Sequence, residues 1–271
     1  MAALGEAGVE NLVLLGCGKM GGAMLEGWLA GGLAPSSVTV LDPHPSARVT
    51  ELAGQGLVLN PSALAPASVA IIAVKPQMMG DAAPVLRPLA GQGTVFVSIA
   101  AGTPIAAFEE MFGPATPIVR AMPNTPAAVG QGITAIIGNA AADETVLRMS
   151  EVLLAAIGQT VRLDSEDQMD AVTGLSGSGP AYVFHMIEAM AEAGVAAGLA
   201  PGLAMRLARA TVCGAGALAR ASEESAAQLR VNVTSPGGTT AAGLGVLMAE
   251  LPDLMTRTVA AAAERSRELR G

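Results

Sequence analysis

The chain has 271 residues, long enough for one large or two ordinary domains, and is 51% hydrophobic with only 2% aromatic residues, so its core must be Ala, Val, Leu, Ile and Met. Its formal net charge of −8, with no basic run, excludes nucleic acid as a partner. No apolar run approaches the roughly 20 residues of a membrane span, and Leu12–Leu15 is too short for a signal peptide, so a cytoplasmic protein with no membrane partner is expected.

Along the first 160 residues, short apolar runs alternate with helical patterns. Strands are expected at Leu12–Leu15, Val38–Leu41, Val69–Val74, Thr94–Ser98, Ile118–Ala121, Ile133–Ile137 and Thr160–Leu163. Helical stretches between the early ones include Met20–Ala30, Ser46–Ala53 and Gln77–Leu86. The strands are continuously apolar rather than alternating, which indicates a parallel sheet covered on both faces. Strand–helix repetition of this length is the βαβ pattern of a doubly wound α/β fold.

After Leu163 the strand signal stops. Asp167–Leu175, Ala181–Ala197, Pro201–Ala221, Ala226–Asn232, Thr239–Glu250 and Asp253–Leu269 read as helices. The expected division is a Rossmann-type dinucleotide-binding domain over 1–163 and an all-helical dimerisation and substrate-binding domain over 164–271. Ala181–Ala197 is apolar nearly all round, and such a helix must be buried. So much apolar helix in so small a domain suggests burial against a second subunit. The two cysteines, Cys17 and Cys213, suggest no disulfide framework, and the two histidines make no metal site.

Seven motifs carry chemistry. Gly16, Gly18 and Gly21 form a G-x-G-x-x-G turn between the first strand and its helix. The first glycine allows the tight turn, the second lets a pyrophosphate approach, and the third lets helix and strand pack closely. Asp42, at the end of the second strand, suits the ribose hydroxyls and repels a 2′-phosphate; an Asx-type turn before Pro43 is its plainer explanation. Arg48, six residues on, is within reach of a phosphate. Among fifteen basic residues only Lys19 and Lys75 are lysines, and each follows an apolar strand-like run. Lys75, in Ala73-Val74-Lys75-Pro76, would project from the carboxyl edge of the sheet, or be a plain surface lysine. Ser98–Gly102 and Met122–Pro126 end later strands at that edge, as small residues near a nicotinamide or as turns. Leu175–Tyr182 is a glycine-rich kink between helices.

The last motif, Val233–Thr240, holds a Pro-Gly-Gly turn followed by two threonines that open a helix. Unpaired N–H groups at a positive dipole end make a seat for a small anion such as a carboxylate. A simple helix cap is the alternative, but Ser235, Thr239 and Thr240 give more hydroxyls than one cap uses.

These motifs, in order over nearly the whole chain, resemble pyrroline-5-carboxylate reductase. The resemblance implies the last step of proline biosynthesis, reduction of 1-pyrroline-5-carboxylate to L-proline with NADPH or NADH. It implies cofactor contacts at Leu15, Gly16, Cys17, Gly18, Lys19, Met20, Gly21, Asp42, Asn60, Val74, Lys75 and Ala101. It places the substrate carboxylate on the amides of Gly238, Thr239 and Thr240, with the Thr240 hydroxyl at the ring nitrogen as the catalytic group. Ser178, Glu223, Asn232 and Gly237 join the substrate set. It further implies a homodimer and allows a ring of dimers. The chain departs from the family at Ser225-Ala226, where His-Pro is frequent, and at Val231, where an acid is frequent. Many members carry a small hydroxyl residue at the Asp42 position, which leaves the choice of coenzyme open.

A protonated imine is already electrophilic, so positioning rather than a strong general acid is the expected source of rate. Two competing readings fail on particular residues. A β-hydroxyacid reductase would need a lysine in the second domain, and none follows Lys75. A non-catalytic nucleotide sensor would have no use for the Thr240 loop.

Overall fold

The computed structural model describes residues 8–269. Eight strands form one sheet in the order β3-β2-β1-β4-β5-β6-β7-β8. They are β1 (Leu12–Leu15), β2 (Val38–Leu41), β3 (Val58–Leu59), β4 (Val69–Ile72), β5 (Val95–Ser98), β6 (Ile118–Met122), β7 (Gly132–Gly138) and β8 (Gly158–Arg162). The helices are α1 (Lys19–Ala30), α2 (Ala47–Ala53), α3 (Met79–Ala82), α4 (Ile105–Phe112), α5 (Glu144–Leu154), α6 (Met169–Val172), α7 (Gly179–Ala196), α8 (Pro201–Ala221), α9 (Ala226–Asn232) and α10 (Thr239–Glu268).

The sheet is two-sided, as its apolar strands require. Leu12 and Leu14 of β1 enter one core with Trp28, Val38, Val40 and Ile71. Val13 and Leu15 of the same strand enter the other, with Ile72, Phe96 and Phe108. Each core is closed by helices packed on that face, which is why β1, β4 and β5 are buried throughout.

The sheet is not all parallel. β7 pairs antiparallel with β6, while every other neighbouring pair is parallel. A parallel return needs a crossover of a dozen or more residues, and the link Pro123–Gln131 is too short for one. The two-residue strand β3 carries no periodic signal and was not expected. The Gln77–Leu86 helix is broken into a 3-10 turn at Pro76–Met78, the single turn α3, and a second 3-10 stretch over Ala83–Leu89. Pro84 and Pro88 lack the N–H that a continuous α-helix would use. Likewise Asp167–Leu175 resolves into a 3-10 turn, the short α6, and a π-type turn at Thr173–Gly177. The two final helices are one: α10 runs through Pro252 to Glu268.

Two compact units emerge, the first running to Gly177 and the second beginning at Ser178. The 3-10, α6 and π segments after β8 pack with the sheet, so the helical signal begins before the boundary. The first unit also takes back the chain from Ala262, leaving Ser178–Ala261 as the second. Ser266 Oγ donates to Asp170 Oδ1 at 2.7 Å, and both side chains are buried. In the second unit, α7 and α8 meet through small side chains: Ala191, Ala204 and Ala208 are its buried cluster. A Cβ at Gly194 would lie 3.2 Å from that of Ala204, so glycine sets this close approach.

Candidate functional site

In the order β3-β2-β1-β4-β5, the direction of winding reverses between β1 and β4, and ligands of doubly wound sheets bind beyond the carboxyl ends at that point. The glycine loop lies there. Gly16 has φ +86°, and a Cβ on it would fall 2.8 Å from the Ala73 carbonyl oxygen. Its N–H donates to the Leu41 carbonyl at 2.8 Å, carrying the β1–β2 pairing one residue into the loop. A Cβ on Gly21 would collide with the Gly16 carbonyl, so helix α1 can approach β1 this closely only as glycine. Gly18 caps α1 with no side-chain bond, and open space lies where its Cβ would be. This is the cradle that a pyrophosphate needs: exposed N–H groups at a helix start, with no side chain in the way. The residues therefore fit a dinucleotide.

Asp42 ties the loops together. Its Oδ2 accepts the Cys17 N–H at 2.7 Å and its Oδ1 accepts the His44 N–H at 2.8 Å. Asn60, a non-glycine residue at φ +46°, pairs with the Asp42 backbone in both directions: its Oδ1 accepts the Asp42 N–H at 2.9 Å and its Nδ2 donates to the Asp42 carbonyl at 2.8 Å. The Asx-type contact read from the sequence is present, since Asp42 Oδ1 accepts the N–H two residues on. Burial, with Asp42 and Glu26 adding to it, pushes the Cys17 thiol up to about 11. A neutral thiol beside the phosphate seat adds no negative charge there.

Val74 and Lys75 follow β4 and Ala101 follows β5, all beyond the same carboxyl edge. The Lys75 side chain is exposed, and its carbonyl accepts the Met78 N–H at 2.9 Å. Asn124 proves to be a structural pin: its Oδ1 accepts the Ile133 N–H at 3.0 Å and its Nδ2 donates to the Ser176 carbonyl at 3.2 Å.

In the second unit, Gly237 has φ +68° and turns the chain into α10. The Gly238 N–H is already used, donating to the Ser235 carbonyl at 3.0 Å. The open donors at this end are therefore those of Thr239, Thr240 and Ala241, the first three residues of α10, which have no intrahelical acceptor. Asn232 is held on both sides: its Nδ2 donates to Glu224 Oε2 at 2.9 Å and its Oδ1 accepts Gln228 Nε2 at 2.8 Å. The acid that holds Asn232 is Glu224, the neighbour in sequence of the Glu223 expected in the substrate set. Ser178 precedes α7 as its capping position, without a side-chain cap bond.

Sequence reading also missed Glu26 and Glu51, which hold Arg48 at 2.8 and 3.0 Å. The Glu51 spacing was visible along α2, whereas Glu26 lies on another helix.

Comparison with known proteins gives this arrangement a relationship. Residues 166–269 match the family model described as pyrroline-5-carboxylate reductase dimerisation, and residues 11–102 match that described as NADP oxidoreductase, coenzyme F420-dependent. The pyrroline-5-carboxylate reductase of Pseudomonas aeruginosa is 38% identical over 264 residues, covering 96% of each chain. The chain belongs to the pyrroline-5-carboxylate reductase family. The solved structure of a pyrroline-5-carboxylate reductase from Coxiella burnetii superposes with a TM-score of 0.90 at 33% identity, covering 97% of this chain and 99% of that one. That from Plasmodium falciparum, solved with NADP bound, gives 0.78 at 28% identity over 96% and 98%. The family relation accounts for both the sheet with its glycine loop and the helical unit. Among the described residues, no helix is long and apolar enough to cross a membrane.

Proposed function

We propose that this chain reduces 1-pyrroline-5-carboxylate to L-proline with NADPH or NADH. The observation that carries the reading is family membership over nearly the full length, joined to a glycine loop whose backbone geometry fits a dinucleotide. The bound dinucleotide supplies the hydride.

The chain's own residues bind and orient. Leu15 to Gly21 offer the pyrophosphate seat, Asp42 and Asn60 fix the ribose edge, and Val74, Lys75 and Ala101 border the nicotinamide side. The Thr239 and Thr240 N–H groups hold the substrate carboxylate at a helix start, where the dipole favours an anion. The Thr240 hydroxyl hydrogen-bonds the ring nitrogen as it becomes an amine. Glu223, Asn232, Gly237, Gly238 and Ser178 shape the surroundings of that seat, with Glu224 steadying Asn232. Fixing the imine in one orientation removes the entropy of encounter, which is the main barrier left once the imine is protonated.

The proposed assembly is a homodimer formed through the helical unit. Phe184 is 60% exposed, Leu207 49% and Val246 67% in the single chain, an apolar surface that water does not favour.

The test is to follow oxidation of NADPH, and separately of NADH, on adding pyrroline-5-carboxylate, with proline measured as product. Proline formed in step with coenzyme oxidation is the expected result. No oxidation of either coenzyme would overturn the reading.

A further inference from the structure

Arg48 is a cation with no task in the reaction. It borders a bay of about 400 Å³ that opens between Gly18, Asp42 and Ser46, beside the glycine loop, and among the described residues it is the only Lys or Arg lining that bay. This is where the ribose hydroxyls fall if Asp42 receives them, and so where a 2′-phosphate would have to sit. A free guanidinium here would welcome that phosphate, since its planar fork matches the oxygens.

The guanidinium is not free. Its Nε and Nη2 donate to the Glu26 carboxylate at 2.8 and 3.4 Å. Its Nη1 stands 3.0 Å from Glu51 Oε2. These bonds raise the Arg48 pKa, Glu26 contributing most, so the cation stays charged but engaged. Two carboxylates thus engage one guanidinium, and a third, that of Asp42, lines the same bay. Asp42 itself cannot swing aside, because both its oxygens are fastened to backbone N–H groups.

We infer that this chain selects against a 2′-phosphate on the adenosine ribose, and that Glu26 and Glu51 are specificity residues that do so by occupying Arg48. The inference rests on the dinucleotide reading and deepens it to a preference for NADH. A ribose diol finds an acceptor in Asp42 and disturbs nothing. A phosphate, carrying close to two negative charges, must displace two carboxylates from Arg48 and still face the Asp42 carboxylate. The Plasmodium falciparum relative solved with NADP shows that the family fold accepts the phosphorylated coenzyme; the discrimination resides in these side chains, not in the fold.

Direct binding tests this without turnover. Dissociation constants for NADH and NADPH are measured on the full chain by nicotinamide fluorescence, at low and at raised salt. NADPH is expected to bind about tenfold more weakly than NADH, with the gap narrowing as salt screens the carboxylates. In the Glu26→Gln/Glu51→Gln double variant, NADPH should come within about twofold of NADH, while NADH affinity itself moves by less than about twofold. Adding Arg48→Ala to that variant should restore the gap, which separates release of Arg48 from a mere loss of negative charge. Glu26 and Glu51 are half-exposed, so these variants remain folded. NADPH binding as tightly as NADH in the parent chain would overturn the inference and leave the reductase reading intact. A double variant with an unchanged NADPH-to-NADH ratio would also overturn it. Failure to bind either dinucleotide would defeat both.

Discussion

The two units solve the burial problem differently. The sheet unit encloses its largest apolar side chains completely, Trp28, Phe96 and Phe108 among them. The helical unit buries little more than alanines and leaves Phe184, Leu203, Leu207, Val246, Leu247 and Met248 in contact with solvent. One unit is complete as a single chain and the other is half of a core. Apolar content alone therefore does not say whether a segment folds inward or pairs with a copy; what separates the cases is whether the same chain offers a second layer to cover the face.

That contrast can be broken by substitution. The largest effect should come from Phe184→Asp with Leu207→Asp. The pair should turn the dimer into a monomer at micromolar concentration and lower kcat/KM by about 100-fold or more, read by sedimentation and by the reductase assay. A dimer that survives would remove the half-core argument. Next comes Trp28→Ala, in the self-contained core. It should cost about 3–5 kcal/mol in denaturant unfolding, since it opens a cavity and strips the Leu153 carbonyl of the indole N–H that reaches it at 2.8 Å. A loss under about 1 kcal/mol would mean that the sheet unit is not rigidly packed.

A smaller, chemical effect is expected from Thr240→Ala: kcat/KM for the imine should fall by about tenfold or more, while coenzyme affinity shifts by less than about twofold. Unchanged imine turnover would sink the role given to that hydroxyl. The smallest effect is electrostatic and lies at the surface of the sheet unit. Hydrogen bonds from Arg162 first, then Arg148, hold the Glu144 carboxyl at about 2, below its ordinary 4.5. A depressed carboxyl contributes stability above its unfolded value and loses it as pH falls through the folded one. The native state should therefore weaken from pH 4.5 towards 2, slightly less steeply in Glu144→Gln, and the difference should shrink in salt. Thermal melts across that range measure it.

Much of the sheet unit was legible because continuous apolar strands and helix periodicity are local signals. β1, β2, β4 and β5 end within two residues of where their patterns end. The failures were where local pattern and chain geometry conflict. β7 runs backwards because Pro123–Gln131 is short, not because its residues differ from those of a parallel strand. Pro84 and Pro88 divided a helix that periodicity alone would have drawn whole, whereas Pro252 did not divide α10. For the candidate site, the glycine loop and the Thr239–Thr240 helix start were readable because both are turns with their own residue code. The Glu26–Arg48 contact and the Asp42–Asn60 pairing join separate elements and have no signature in either one.

The return of the chain from Ala262 into the sheet unit has a consequence for biosynthesis. The ribosome can release every strand of the sheet and still not have made Ser266, one of the groups with which the buried Asp170 pairs. The sheet unit is therefore discontinuous in time as well as in sequence. Its finishing contact is added only after the whole helical unit has been translated, so the two units cannot mature strictly one after the other.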